Sequence, residues 1–322
     1  MNAASANPNT SHFSRFDVLS ALAVVVIWGL NFVVMKWGLR DVSPMLLGCL
    51  RYVSASLPFV LFIKRPNVPW RFVLGYGVAQ GLGQFGFLFM ALQLGMTAGM
   101  ASVVMQSQAF VTLLLAHWLL GERAQWAHYV GLLCAGVGLA MIASAHGSGA
   151  GQMTLIGFML TLCAASMWAC SNIVARMASI HSLHHQDKNK RGNTGGYDPL
   201  AFLVWSSLLP IIPFFIFAVL QDGWPVVSSQ LQGLSLHTVL AVLYLGLLAT
   251  VLAYTLWTRL LQRHPTGRVA PYSLLVPVIG LIAAWVLLGE QPTLLQLIGT
   301  VVVLLGLVIN MQGQALWRKL RG

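Results

Sequence analysis

Apolar residues fill this chain in long unbroken runs, and the polar residues between them fall in short clusters. No Asp, Glu, Lys or Arg occurs from Phe72 to Gly121, nor from Ala124 to Ala175. A helix needs about 20 apolar residues to cross the hydrocarbon of a bilayer. Each stretch therefore holds two crossings joined by an uncharged turn. The runs do not alternate apolar with polar, which argues against a membrane barrel. Ten crossings result, over residues 17–37, 44–63, 71–92, 98–119, 126–145, 153–175, 199–220, 236–259, 267–288 and 293–311. Turn-forming residues mark the gaps: Arg65-Pro-Asn-Val-Pro69, Gly95 with Thr97, Gly147-Ser-Gly-Ala-Gly151, and Gly223-Trp-Pro225.

The placement of cations tests that count. With the amino terminus in the cytoplasm, fifteen of the eighteen Lys and Arg residues lie in cytoplasmic segments. Only Lys36 and Arg40 lie outside, and Arg51 lies within a crossing. Basic loops mark the cytoplasmic side, and nine or eleven crossings would scramble the split. The net charge of +11 thus reads as orientation and not as a nucleic-acid surface. Residues 1–16 form a cytoplasmic tail without a cleavage signal. Residues 176–198 form a cytoplasmic loop, whose His181–Asp198 part reads as a solvated linker, and 312–322 a basic cytoplasmic tail.

The chain also carries one unit written twice. Trp28 is followed by Asn31 and Lys36, and Trp168 by Asn172 and Arg176. Leu119-Leu-Gly-Glu122 returns as Leu287-Leu-Gly-Glu290, 168 residues on, and at that offset Tyr76, Gly99, Gly131 and Gly138 meet Tyr244, Gly267, Gly299 and Gly306. The Trp motifs are only 140 residues apart, so the second copy holds an insertion, with 181–198 and 221–235 as candidates. Five crossings per copy is an odd number, so the copies face opposite ways. The expected fold is an all-α polytopic membrane protein, with one five-helix repeat over 17–145 and an inverted one over 153–311. Composition agrees: 8% of residues are charged and mean hydropathy is +0.77, against about a quarter charged in soluble domains.

Lipid offers no hydrogen bonds, so polar side chains inside crossings should face protein or a wet cavity. Trp28 and Asn31 share a face of the first crossing, and Trp168 and Asn172 a face of the sixth. Gln80 and Gln84 lie a turn apart in the third. Gln108 and Thr112 pair in the fourth, with Gln106 nearby. Tyr254 stands between Thr250 and Thr258 in the eighth, and Tyr272 beside Ser273 in the ninth. The substrate-binding candidates are Trp28, Asn31, Gln80, Gln84, Gln108, Trp168, Asn172, Tyr254 and Tyr272. Amides can donate to a carboxylate and accept from an ammonium, and an indole face attracts an ammonium. The same amides can equally bond helix to helix, and both readings stand at this stage.

Other polar residues read as architecture. Lys36 and Arg176 suit anchoring at helix ends. Arg51 lies deeper, a turn or two from the start of its helix, where snorkelling is still open to it. Glu122 and Glu290 should bond the start of the next helix. His117 reads as a hydrogen-bonded packing residue, with proton transfer as the alternative. None of the seven acids lies in the middle of a crossing, which favours exchange or facilitated flux. Gly77 with Gly81, and Gly95 with Gly99, permit close backbone approach. Pro210, Pro213, Pro271 and Pro277 interrupt the seventh and ninth crossings, as hinges. The four cysteines fall in apolar runs, and no catalytic, metal or cofactor motif is visible. An integral-membrane lipid enzyme would need ionisable groups gathered at one face; here the acids are scattered.

Several stretches resemble the EamA family of the drug/metabolite transporter superfamily. They are Val25-Val-Ile-Trp-Gly-Leu-Asn-Phe-Val-Val34, Gln106-Ser-Gln-Ala-Phe110, Gly157-Phe-Met-Leu-Thr-Leu162, Leu209-Pro-Ile-Ile-Pro-Phe-Phe215 and Arg268-Val-Ala-Pro-Tyr-Ser-Leu-Leu-Val-Pro-Val278. The resemblance covers roughly residues 15–312. It implies an inner-membrane exporter of small amino-acid-like metabolites, of the O-acetylserine and cysteine type, working by alternating access. Carriage of other amino acids, aromatic or sugar-like solutes is the alternative. The expected partners are that small solute and the lipid bilayer, with homodimerisation left open and no nucleic acid. Side-specific reporters at Gly147 and Gly322 should light up on opposite sides of the membrane, and both in one compartment would break the inverted-repeat topology.

Overall fold

The computed structural model describes residues 14–121, 125–147, 152–186, 197–264 and 266–321. These residues form helices and no strand. Nine helices among them are long and apolar enough to cross a membrane. They are α1 (Arg15–Gly38), α3 (Trp70–Gln93), α4 (Ala98–Leu120), α5 (Trp126–Ser144), α6 (Leu155–Gln186), α7 (Pro199–Asp222), α8 (Leu236–Leu261), α9 (Arg268–Leu288) and α10 (Leu294–Arg321). The expected second crossing is the shorter apolar helix α2 (Pro44–Val60). It starts with Pro44 in the first turn, where the missing N–H costs nothing.

Helix ends follow local chemistry. Ser14 and Asp17 form a reciprocal capping box, Asp17 N donating to Ser14 Oγ at 3.1 Å and Ser14 N to Asp17 Oδ2 at 3.0 Å. Gly121 and Gly289 close α4 and α9 in the left-handed conformation, both with φ of 68°. Two helices overrun their expected ends. The 153–175 crossing continues to Gln186, so Arg176 lies inside α6 and not at its end, and the 176–198 loop starts as helix. The 312–322 tail continues α10 as far as Arg321. Residues 187–196, most of the His-bearing loop, lie outside the described residues. The expected insertion at 221–235 contains a short helix, Trp224–Gln232.

Five crossings are irregular near mid-length. α3 is π-helical over Gly77–Gln84 and α8 over Tyr244–Leu252. α4 tightens to 3₁₀ at Met105–Ser107, and α9 is interrupted at Leu274, between Pro271 and Pro277. α7 breaks over Ser207–Pro210. Gln84 and Leu252, like Met105 and Ser273, are 168 residues apart, the offset of the Leu-Leu-Gly-Glu motifs. Such interruptions free backbone groups and mark functional sites more often than straight helix does.

α5 packs on α10, α1 on α8 and α9, α6 on α3 and α4, and α2 on α7. Glycine makes the α5–α10 crossing close and reciprocal. A Cβ at Gly131 would lie 2.7 Å from the Gly306 carbonyl oxygen, and one at Gly306 equally close to that of Gly131. Gly138 and Gly299 meet likewise, at 2.6 and 2.7 Å. In α3, Gly77 and Gly81 abut Ser206 and Pro210 of α7. Lipid-facing helices gain little from apolar burial, so close packing of this kind carries their association.

The carboxylate after the second Leu-Leu-Gly has a different partner from the expected one. Glu290 does not bond the start of α10. It accepts from Ala98 N at 2.8 Å and Gly99 N at 2.9 Å, at the start of α4, and pairs with Lys36 Nζ at 3.3 Å. The reason is antiparallel packing: α9 ends beside the point where α4 begins, and the α4 N–H groups point at the carboxylate. Lys36 is thereby an ion-pair partner and not only an interface anchor. Its counterpart Glu122 lies outside the described residues. At the other end of α1, Asp17 Oδ2 meets His264 Nε2 at 3.0 Å, so both ends of α1 are tied to the second half of the chain.

Gly131→Leu and Gly138→Leu should each lower stability by about 1–3 kcal/mol through overpacking. Gly136→Leu, where a Cβ meets nothing within 4 Å, should change it by less than about 0.5 kcal/mol. Thermal unfolding of the purified protein in detergent reads the difference; equal losses at all three positions would show that the crossing is not the cause.

Candidate functional site

The irregular segments of α3, α4, α8 and α9 converge on one cavity. Its volume is about 360 Å³, within the usual range of small-molecule sites. Helices α1, α2 and α6 complete the wall. Seven of the nine expected residues line it: Trp28, Asn31, Gln84, Gln108, Trp168, Asn172 and Tyr254.

The other two stand behind the wall. Gln80 is buried between helices: its Oε1 accepts from Ser171 Oγ of α6 at 3.2 Å, and its backbone carbonyl from the Tyr52 hydroxyl at 3.5 Å. It therefore takes the helix-to-helix role that the sequence had left open. Tyr272 packs, with Trp257 and Leu261, against the Ala21, Leu260 and Val269 cluster and is absent from the cavity lining. His117 is exposed in the last turn of α4, away from the lining.

The two Trp–Asn pairs, similar in sequence, are used differently. Asn172 Nδ2 donates to Gln108 Oε1 at 2.8 Å and to Thr112 Oγ1 at 3.2 Å. These bonds tie α6 to α4 across the cavity edge. Asn31 has no such anchor. Its nitrogen reaches only Met35 Sδ at 4.0 Å within its own helix, and its Oδ1 is buried with no partner. Gln84 Oε1 is unpartnered in the same way.

An aromatic wall faces these amides. Trp28 Nε1 donates to the Ala249 carbonyl at 3.1 Å, inside the π-helical stretch of α8. The π turn shifts hydrogen bonding from i+4 to i+5, and Thr250 Oγ1 bonds the Leu245 carbonyl at 2.7 Å. Trp28 meets Tyr254 edge-on at 5.0 Å and Trp257 at 5.5 Å. Trp257 lines the cavity and was not among the expected residues. Its signal was available, since it lies three positions from Tyr254 on the same helix.

Arg51 is the other residue missing from the expected set. It is 1% exposed and lines the cavity, so it does not snorkel. Its Nη2 donates to Thr250 Oγ1 at 2.9 Å, and its Cζ lies 3.7 Å from the centroid of the Phe85 ring. Nε and Nη1 are buried with no partner. A cation inside an apolar run was a sequence-level signal, but its distance from the helix start left its depth open. The lining contains no Asp or Glu. The site thus offers one fixed cation, amide oxygens without donors and aromatic faces. The arrangement suits reversible binding of a small polar solute.

Known proteins point the same way. The description "EamA-like transporter family" matches residues 15–144 and again 155–312. A "Probable amino-acid metabolite efflux pump" of Salmonella typhimurium (strain LT2) is 43% identical over 300 residues, 93% of this chain and 96% of that protein. Its namesake in Escherichia coli (strain K12) is 41% identical over 306 residues, 95% and 98% of the two chains. A crystal structure 19% identical in sequence superposes with a TM-score of 0.59 over 92% of this chain and 96% of that one, a likeness of fold. With two family matches that together span most of its length, this multi-pass membrane chain belongs to the EamA-like transporter family.

Proposed function

We propose that the chain exports small amino-acid-like metabolites across the bacterial inner membrane by alternating access, with the central cavity as the substrate site. The single observation that carries this reading is the convergence of the interrupted stretches of α3, α4, α8 and α9 on a cavity with unpartnered polar atoms. Secondary carriers build midplane sites from discontinuous helices at a repeat interface. The names of the two relatives supply the direction and the solute class.

In this reading α2 is a tenth crossing, both termini are cytoplasmic, and the two five-helix repeats are inverted. Three pairs of features support the inversion: the π-helical stretches, the mid-helix breaks of α4 and α9, and the left-handed Gly121 and Gly289. Members of each pair lie at the 168-residue offset. The reciprocal glycine contacts of α5 and α10 agree with a two-fold axis between the repeats. The Lys36–Glu290 and Asp17–His264 ties then close opposite faces of the bundle on α1, and opening either face requires release of one of them.

Counterflow in proteoliposomes should show exchange of labelled cysteine and O-acetylserine, each chased by the other. Preference for an aromatic amino acid would favour the second reading, which the Trp28, Tyr254 and Trp257 wall makes specific. No exchange of any amino acid would overturn both. Asn31→Ala should slow exchange at normal protein levels and unchanged stability. Asn172→Ala should also lower thermal stability, by about 0.6 kcal/mol for each cross-helix bond removed, because it releases Gln108 and Thr112. Unchanged flux in Asn31→Ala would remove Asn31 from the site.

A further inference from the structure

Arg51 is buried inside the bundle, and among the described residues no carboxylate pairs with it. It rests on the proposed function above only for the identity of the cavity as the transport site. Removing a guanidinium from water costs several kcal/mol even after relaxation, and an anion with good geometry is what offsets that cost. Among the described residues the nearest compensation is one hydroxyl, Thr250, and one ring face, Phe85. The guanidinium presents five N–H donors in a planar fork, of which Thr250 takes one. No Asp or Glu lines the cavity.

The ammonium end of an amino acid finds weaker recognition. Asn31 Oδ1 and Gln84 Oε1 are neutral acceptors, and the Trp and Tyr faces attract a cation without binding it in one place. A carboxylate on a guanidinium makes shorter and stronger charge-assisted hydrogen bonds. The charge inventory is therefore lopsided: it fits a monoanion at least as well as a zwitterion.

We infer that Arg51 is the carboxylate receptor of the transport site, that a free carboxylate is the obligatory feature of its substrates, and that a free ammonium is dispensable. Arg51 is then the specificity-determining residue. Thr250 holds it in register from the π-helical stretch of α8, and Phe85 backs its plane. Amino acids and their N-acylated derivatives belong to one substrate class; decarboxylated amines, amides and esters do not.

Thermal shifts of the purified protein, read with counterflow, test this with four probes: cysteine, N-acetylcysteine, cysteamine and cysteine methyl ester. Ligands held only by the folded state raise its midpoint by mass action. Cysteine and N-acetylcysteine should both stabilise the wild type, and cysteamine and the ester should not. Arg51→Met should weaken binding of the two carboxylates by about tenfold or more. Without ligand, Arg51→Met should unfold at the same temperature as the wild type or higher, since it removes an uncompensated buried charge. Arg51→Lys, which keeps the charge but not the fork, should restore part of the affinity.

Cysteamine binding as well as cysteine would overturn the inference. So would carboxylate affinity unchanged in Arg51→Met, even with amino-acid export intact, in which case the transport reading survives alone. Conversely, carboxylates that bind in an Arg51-dependent way while no amino acid is exchanged would sustain the receptor and sink the amino-acid reading. Silence of all four probes on the wild type counts against the receptor.

Discussion

The interior of a bilayer leaves each polar group to find a partner inside the protein or remain bare. Almost everything polar in this bundle obeys that constraint. Ser102 bonds the Gly99 carbonyl, Thr161 that of Gly157, Ser56 that of Tyr52 and Ser206 that of Leu203. Tyr244 and Trp28 reach backbone carbonyls across the α1–α8 contact. Against that background the exceptions carry information. Asn31 Oδ1, Gln84 Oε1 and two nitrogens of Arg51 have no partner, and all three residues line the same cavity. Other unpartnered atoms, Ser43 Oγ, Ser107 Oγ and Asp222 Oδ2, lie outside it, so the cavity gathers several of these atoms but not all of them.

Interrupted helices and tight glycine crossings answer two sides of one mechanical requirement. Interruption frees backbone groups beside the cavity. Close glycine crossings give rigid seams around which the rest can move. Gly131, Gly138, Gly299 and Gly306 bring two backbones to contact distance, so α5 and α10 behave as one unit. α1 is different: it runs beside the cavity and is held near one end by the Lys36–Glu290 ion pair and near the other by the contact of Asp17 with His264. Glu290 carries more, because two backbone donors at the start of α4 hold it as well.

Most of the helical plan was legible because lipid solubility demands apolar length, and apolar length is written directly in the residues. Most ends agree to within a few positions, where Gly289, Pro44 or Ser235 supply turn and cap chemistry. The overruns of α6 and α10 have one cause: hydropathy reports where lipid stops, whereas helical hydrogen bonding continues into water past Arg176 and Met311. The site was legible as residue types, less so as roles. Seven amides and aromatics converge because the faces of α1, α3, α4, α6 and α8 could be read at helical spacing. Gln80 was not separable from Gln84, since only the packed neighbour Ser171 decides which amide is spent on holding helices together. Asn31 and Asn172 had equal standing in the sequence for the same reason. Arg51 escaped because depth along a helix does not reveal whether a long side chain reaches the interface or turns inward; Thr250, 199 positions away, turns it inward.

A carrier site also has to release what it binds, and this explains why an incompletely satisfied cation is useful. Were Arg51 neutralised by a resident carboxylate, an incoming solute would have to displace a strong pair, and the site would bind weakly or not at all. Were it wholly free in a wet channel, its hydration would compete with every ligand. Holding one edge with Thr250 and Phe85 fixes the fork in advance, so little orientation is lost when a carboxylate arrives. Water entering from the open side can then replace the ligand at the remaining donors. In the proposed transport site, binding strong enough to select and weak enough to let go follows from leaving part of one buried charge unanswered, at a cost in stability.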